Sequence, residues 1–258
     1  MRLLRAFAAD PIGVSRALPG LIEQRRGLDR HHEVDESWEV HLHSLLGAPW
    51  PCPERPLLDQ LVADIAASLT ARGLGYGRST CGPFSDADPS LCRAVWCTVL
   101  HTQPEIVIET GVGHGVTTRI VLEALERGGR GHLSSIDLPY PLDHGLRAET
   151  GAAVPDEFRA RWSYLEGSSR QRLPSLVRQV GHVETFIHDS LHTARNTVFE
   201  LDQAASVMSP GGVMIVDDIR MHHGFAIFAR RHPGYRTITC PSADRIGMFG
   251  IAVNAACA

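Results

Sequence analysis

The sequence predicts an α/β fold: a doubly wound, mostly parallel sheet of seven strands with an N-terminal helical extension. Three observations predict it. From Asp88-Pro89 onward, short apolar segments alternate with segments of helical spacing, and such alternation demands a parallel sheet with helices on both faces. A glycine-rich turn, "GVGHG", separates the first apolar segment from the first helix that follows it. Acidic residues close several of the apolar segments, and the carboxyl edge of a parallel sheet is where ligands bind.

The elements follow in order. "VDESWEVHLHSLLG" (34–47) and "PLLDQLVADIAASLTARG" (56–73) carry apolar residues at helical spacing. The second opens on Pro56 and closes on Gly73, the expected polarity of helix ends. Between them "PWPCPERP" (49–56) can be neither helix nor central strand, so it is a rigid connector. "GLGYGRSTCGPFSDADP" (73–89) is a glycine-rich loop, either a lid or a linker. A helix then runs to about His101. Strands are predicted at 105–110, 131–138, 162–167, 183–190 and 212–218, with "YRTITC" and "IGMFGIAV" as the last two. Helices are predicted at 115–129, 173–181, 193–212 and 225–232, the third stopped by Pro210-Gly211-Gly212. The connection at 138–157 is long for a compact domain, as lids and binding loops often are.

The 258 residues suit one large domain with a smaller appendage, and we divide them into an extension or lid at 1–87 and a principal domain at 88–258. Hydrophobic residues make up 43%, enough for a full core. The net charge of −4, with no basic run, argues against nucleic acid or an anionic membrane as partner. All 25 basic residues are arginine, so no lysine can act as base or phosphate ligand. Cysteines at 52, 81, 92, 97, 240 and 257 match no zinc knuckle or CxxC pair and read as scattered thiols in a reducing compartment. The apolar start "MRLLRAFAAD" is cut short by Asp10-Pro11, and no stretch approaches the roughly 18–20 apolar residues of a membrane span. A cytoplasmic protein is expected.

"IETGVGHGVTT" (108–118) places Gly111, Gly113 and Gly115 where a tight turn and close approach of a ligand are needed. A dinucleotide fingerprint would need its third glycine at position 116, which is Val116. The trio is instead GxGxG, preceded by Glu109 and followed by "SSID" at the end of the next strand. This order resembles the first two motifs of class I S-adenosylmethionine-dependent methyltransferases, whose sheet is Rossmann-like. The resemblance implies that the loop, with Glu109 and Thr117, lies against the cofactor; His114, by its position inside the loop, is expected to contact the cofactor or the lid. It implies that Asp137 takes the ribose hydroxyls, a task that suits a two-oxygen acceptor. Ser168, after the third strand, would edge the adenine, and His188 would pack beside the cofactor or in the sheet.

"GGVMIVDDI" (211–219) ends an apolar run on Asp217 and Asp218. Side chains alternate along a strand, so the two acids can converge only where the strand ends. Asp189 closes the preceding strand, at the same edge. Three carboxylates in a partly dry cleft must hold protons or a cation, and oxygen ligands favour a hard ion such as Mg²⁺. "HDSLHT" and "VDDI" together resemble metal-dependent O-methyltransferases, most closely the macrolide-sugar and "methyltransferase 24" group, over about residues 103–253. That resemblance implies metal ligands Asp189, Asp217 and Asp218. His192, three residues past Asp189, is the candidate base, since the catechol-type lysine is absent.

The expected activity is Mg²⁺-dependent O-methylation of a small molecule: a sugar, a phenol or another natural product. Metal-independent N- or C-methylation and a non-catalytic cofactor-binding module are the alternatives. A nicotinamide oxidoreductase is disfavoured by Val116 and by the absence of a Tyr-x-x-x-Lys pair. His222 and His223 are candidates to line the acceptor pocket. Trp38, Trp50 and Tyr76 are candidates for either pocket wall or core. The N-terminal helices are candidates for a homodimer interface.

Overall fold

The structure, a computed structural model, describes residues 33–74, 88–139 and 144–255. Among the described residues, two helices, α1 (Trp38–Leu46) and α2 (Arg55–Ala71), precede α3 (Pro89–Thr102). Then follow β1 (Ile106–Thr110), α4 (Val116–Gly128), β2 (His132–Asp137), α5 (His144–Glu149), β3 (Trp162–Glu166), α6 (Ser169–Val180), β4 (Val183–His188) and α7 (Ala194–Ala205). The chain closes with β5 (Met208–Val216), α8 (Gly224–Arg231), β6 (Tyr235–Pro241) and β7 (Met248–Asn254).

Local signals set these boundaries. Gly47 ends α1 in the left-handed conformation, φ 64. Asp88 caps α3 by accepting from the Ser90 and Leu91 backbone N–H groups, and Pro89 takes the first helical position. The sheet order is β3-β2-β1-β4-β5-β7-β6, with β1 to β5 parallel and β7 antiparallel to both of its neighbours. The predicted seven-stranded, mostly parallel sheet is the observed one.

Both faces of the central strands are covered, so their residues are apolar almost without break. Val107, Ile187, Val213 and Ile215 pack toward α3 and α4, in a cluster with Leu91, Val95, Trp96, Ile120 and Val121. Ile108, Phe186, Met214 and Val216 pack on the opposite face with Leu173, Val177, Leu201 and Phe228. Trp38 and Leu42 of α1 and Leu58, Ile65 and Leu69 of α2 belong to the first cluster. Each such residue, fully buried, contributes about 1.5–3 kcal/mol. Trp38 meets Phe249 edge-on at 5.3 Å and is core, whereas Trp50 is 41% exposed. Tyr76 and most of the 73–89 loop lie outside the described residues.

Three expectations need correction. The helix expected over 193–212 ends at Ala205, and β5 begins at Met208, so Pro210-Gly211-Gly212 lies inside the strand. The pairing explains this: Val183 faces Met208, the register then shifts, and regular pairing resumes at Thr185 with Val213. Proline and glycine fit such an irregularity. The helix expected to begin at 173 begins four residues earlier, at Ser169, with Pro174 tolerated inside α6. The cysteines are not all scattered, because Cys52 Sγ and Cys97 Sγ lie 3.6 Å apart. No helix among the described residues is long and apolar enough to cross a membrane.

Candidate active site

The strand order brings the carboxyl ends of β2, β1, β4 and β5 to one edge. There the chain turns out of β1 through Gly111 to Gly115. Gly111 has φ 87, and a Cβ on it would stand 1.8 Å from the Asp189 carbonyl oxygen. Only glycine lets this loop touch the tip of β4. Gly113 N–H donates to Asp137 Oδ2 at 3.3 Å. The outer side of the loop is clasped by the turn after α5: Gly151 N–H donates to Gly113 O and Ala153 N–H to His114 O. His114 is buried, with Nε2 3.5 Å from Glu149 Oε2. Gly115 caps α4 at φ 84, and Thr117 is buried in the first turn.

Glu109 is wholly buried beneath this loop. Its Oε2 accepts from Thr118 Oγ1 and from Ser135 Oγ, each at 2.7 Å, and Trp162 Nε1–H donates to Ser135 Oγ at 2.9 Å. Oε1 is buried without a hydrogen-bond partner. Burial pushes the Glu109 carboxyl up to about 7, against the two hydroxyl donors, with Asp137 adding to the rise. Burial also raises Asp137, against backbone N–H groups of Gly113, Val112 and Leu138. Ser168 precedes α6, and its Oγ donates to Gln171 Oε1 at 3.1 Å.

The tips of β4 and β5 carry the acids. Asp189 N–H donates to Thr110 O at 2.8 Å and Asp217 N–H to His188 O at 2.9 Å, which locks the two tips side by side. β5 ends at Val216, and Asp218 turns left-handed with φ 51 and ψ 35. That turn breaks the strand alternation and lets the neighbouring acids converge. The ligand atoms of Asp189, His192 and Asp217 lie within 4.8 Å of one another. Asp218 joins through the imidazole: His192 Nε2 is 3.6 Å from Asp189 Oδ1 and 3.7 Å from Asp218 Oδ2. Burial, then the charges of Asp217 and Asp218, hold the Asp189 carboxyl well above its usual range. Burial, then Asp218, push Asp217 up to about 7. Burial pulls His192 down to about 4, with Asp218 opposing. The cluster is thus an excess of like charge at a sheet edge.

Of the two placements expected for His188, beside the cofactor or in the sheet, the structure shows the second, since His188 ends β4. Its ring is fully buried between β4 and α7, in a polar network absent from the sequence reading. Glu200 Oε2 receives His188 Nδ1 at 2.6 Å and Thr110 Oγ1 at 2.5 Å. Its Oε1 receives Ser190 Oγ and Asn196 Nδ2, each at 2.7 Å. Gly224 N–H donates to His222 Nδ1, which leaves the His222 proton on Nε2, facing Thr197 Oγ1 at 3.1 Å. Thr197 Oγ1 also meets His188 Nε2 at 3.0 Å. Burial alone would raise Glu200. The charge and hydrogen bond of His188, with bonds from Ser169 and Thr110, outweigh it and hold the carboxyl at about 2. His222 is therefore a buried structural residue rather than a pocket wall, while His223 is exposed. The available signal was the spacing of Asn196, Thr197 and Glu200, three polar residues on one face of α7 beside apolar Leu201 and Ala204.

Residues 108–219 match a family model described as a methyltransferase domain. No curated protein matches the chain. Several solved structures share its fold. An O-methyltransferase from Bacillus cereus in complex with SAH superposes with a TM-score of 0.57 at 15% identity, over 76% of this chain and 90% of that one. TomG from Streptomyces achromogenes, an O-methyltransferase of tomaymycin synthesis in complex with SAM, gives 0.56 at 13%, over 75% and 89%. Cofactor-bound Rv0187 from MTB gives 0.55 at 18%, over 87% and 99%. Residues 108–219 thus resemble a methyltransferase domain, and the chain shares the fold of solved O-methyltransferases bound to SAH or SAM.

Proposed function

We propose that this protein methylates a hydroxyl of a small molecule, with S-adenosylmethionine as donor and a divalent cation at the strand tips. One observation carries the reading. The glycine loop and the acid cluster share a wall, because Gly111 lies directly on the Asp189 carbonyl. A group held by the loop and a group held by the acids would therefore be neighbours.

The residues fit both groups. Glu109 Oε1, a buried acceptor without a partner, suits a protonated amino group such as that of the methionine moiety. Asp137 stands at the tip of β2, where it offers acceptors to ribose hydroxyls. His114 lies within the loop, Thr117 in the first turn of α4 after it, and Ser168 stands beyond β3. Asp189, Asp217 and Asp218 supply carboxylate oxygens, which suit Mg²⁺ or Mn²⁺. Such a cation would lower the pKa of an acceptor hydroxyl and fix its oxygen, and S-adenosylmethionine would supply the methyl group. His192 Nε2, at the rim of the same cluster, takes the hydroxyl proton. The chain holds no lysine that could do so instead. The solved O-methyltransferases of the same fold support oxygen as the acceptor atom.

The test is release of S-adenosylhomocysteine across a panel of phenols, sugars and polyketide- or peptide-derived alcohols. Turnover should vanish with chelator and return with Mg²⁺ or Mn²⁺. Turnover indifferent to chelator would sink the cation's role and favour metal-independent N- or C-methylation.

A further inference from the structure

A second cluster of metal-ligating side chains lies where the N-terminal helices meet α3, and it shares no residue with the strand tips. His43 of α1, Cys52 of the 47–54 connector and Cys97 and His101 of α3 bring one ligand atom each to within 4.8 Å of one another. The local chain explains the convergence. Cys97 and His101 are four residues apart on α3 and so share a face. Gly47 ends α1 left-handed, and the connector bends at Trp50–Pro51 and turns at Pro53–Glu54, with Cys52 between the two.

We propose that His43, Cys52, Cys97 and His101 bind one Zn²⁺ ion, which fastens the N-terminal helical extension to α3. A tetrahedral zinc with Zn–S of about 2.3 Å and Zn–N of about 2.0–2.1 Å separates its ligand atoms by about 3.4–3.8 Å. Cys52 Sγ is 3.6 Å from Cys97 Sγ and 3.5 Å from His101 Nε2. The tautomer of His43 is already set. Its Nδ1–H donates to the Glu39 carbonyl at 2.7 Å, which leaves the lone pair on Nε2. That nitrogen is buried without a hydrogen-bond partner, in a side chain 1% exposed. Such an orphan is unfavourable unless something not yet named accepts its lone pair.

The surroundings agree. Two thiolates and two neutral imidazoles balance the charge of Zn²⁺, so the buried site carries no net charge. The Trp50 ring packs on His43 at 4.9 Å, and a void of about 10 Å³ is bordered by His43, Cys52, Cys97 and Trp96. Four protein ligands leave no open position, which makes the site structural rather than catalytic.

The experiment uses the full chain, without an affinity tag, purified under reducing conditions from zinc-supplemented culture. Elemental analysis should find about one zinc per chain after dialysis. X-ray absorption at the zinc edge should show two sulfur and two nitrogen neighbours, at about 2.3 Å and about 2.0–2.1 Å. Cobalt substitution should give a thiolate-to-cobalt charge-transfer band. Cys52→Ser and Cys97→Ser should lose the metal, whereas Asp189→Ala and Asp217→Ala should keep it. A zinc-free protein, a metal with only oxygen and nitrogen neighbours, or a Cys52–Cys97 disulfide by mass would each overturn the proposal. The wild-type spectrum decides the matter even where a cysteine variant fails to fold.

Discussion

The strand-tip cluster and the Cys–His cluster are opposites. The first gathers hard oxygens at an open edge, with Asp218 44% exposed on its side chain. The second gathers soft sulfur and imidazole in a packed interior, with His43 and Cys97 both buried. In the first, burial and then the crowding of like charges push the Asp189 and Asp217 carboxyl groups upward. The second would be neutral with its ion in place. An open cluster of like charge suits an ion that must meet a substrate, and a closed, neutral one suits an ion that only holds the fold.

The largest effect should come from breaking the first cluster. Asp217→Ala should remove cation-dependent turnover by on the order of 10³-fold or more. S-adenosylmethionine affinity by calorimetry should stay within a few-fold. Loss of both together would mean that the two half-sites are one folding unit.

Next is the support beneath that cluster. Glu200→Ala strands His188, Ser190, Asn196 and Thr110, and should cost about 3–5 kcal/mol, read as a lower thermal midpoint. The pH dependence has a definite sign. Glu200 is held at about 2 against an ordinary 4.5, so its contribution is present above pH 4.5 and lost as pH falls toward 2. Glu200→Gln should flatten that part of the acid unfolding curve.

Glu109 should behave in the reverse sense. Its folded value of about 7 stands above the ordinary 4.5, so the protonated form's contribution is present below 4.5 and lost as pH rises through 7. Without cofactor at pH 8, Glu109→Gln should therefore be more stable than wild type, by up to about 3 kcal/mol. It should bind S-adenosylmethionine more weakly. An equal thermal midpoint for the two proteins at pH 8 would contradict the buried-charge argument.

The smallest effect is at the base. His192→Ala should slow kcat by about 10²-fold at saturating substrate and leave cation affinity intact. Loss of cation affinity would make the imidazole a ligand instead.

The difference between the two clusters also explains what the sequence could reveal. The glycine loop, Asp137, Asp189 and Asp217 were readable because strand ends and connection rules alone bring them to one edge. Side-chain alternation required the strand to end at Asp217 and Asp218, and β5 ends at Val216 with Asp218 left-handed. His43, Cys52, Cys97 and His101 were not readable, because helix docking brings them together and no short motif encodes it. The Glu200 network was hidden for the same reason: His188 and Glu200 meet only when α7 packs on β4. Pro210-Gly211-Gly212 misled because the irregular start of β5 tolerates residues that normally end an element.

The most direct test of the catalytic reading is Mn²⁺ binding by electron paramagnetic resonance, which needs no knowledge of the acceptor. Wild-type protein with S-adenosylhomocysteine should bind one Mn²⁺ at the strand tips, and Asp217→Ala should not. Equal Mn²⁺ binding by the two proteins would place the ion elsewhere and remove it from the chemistry.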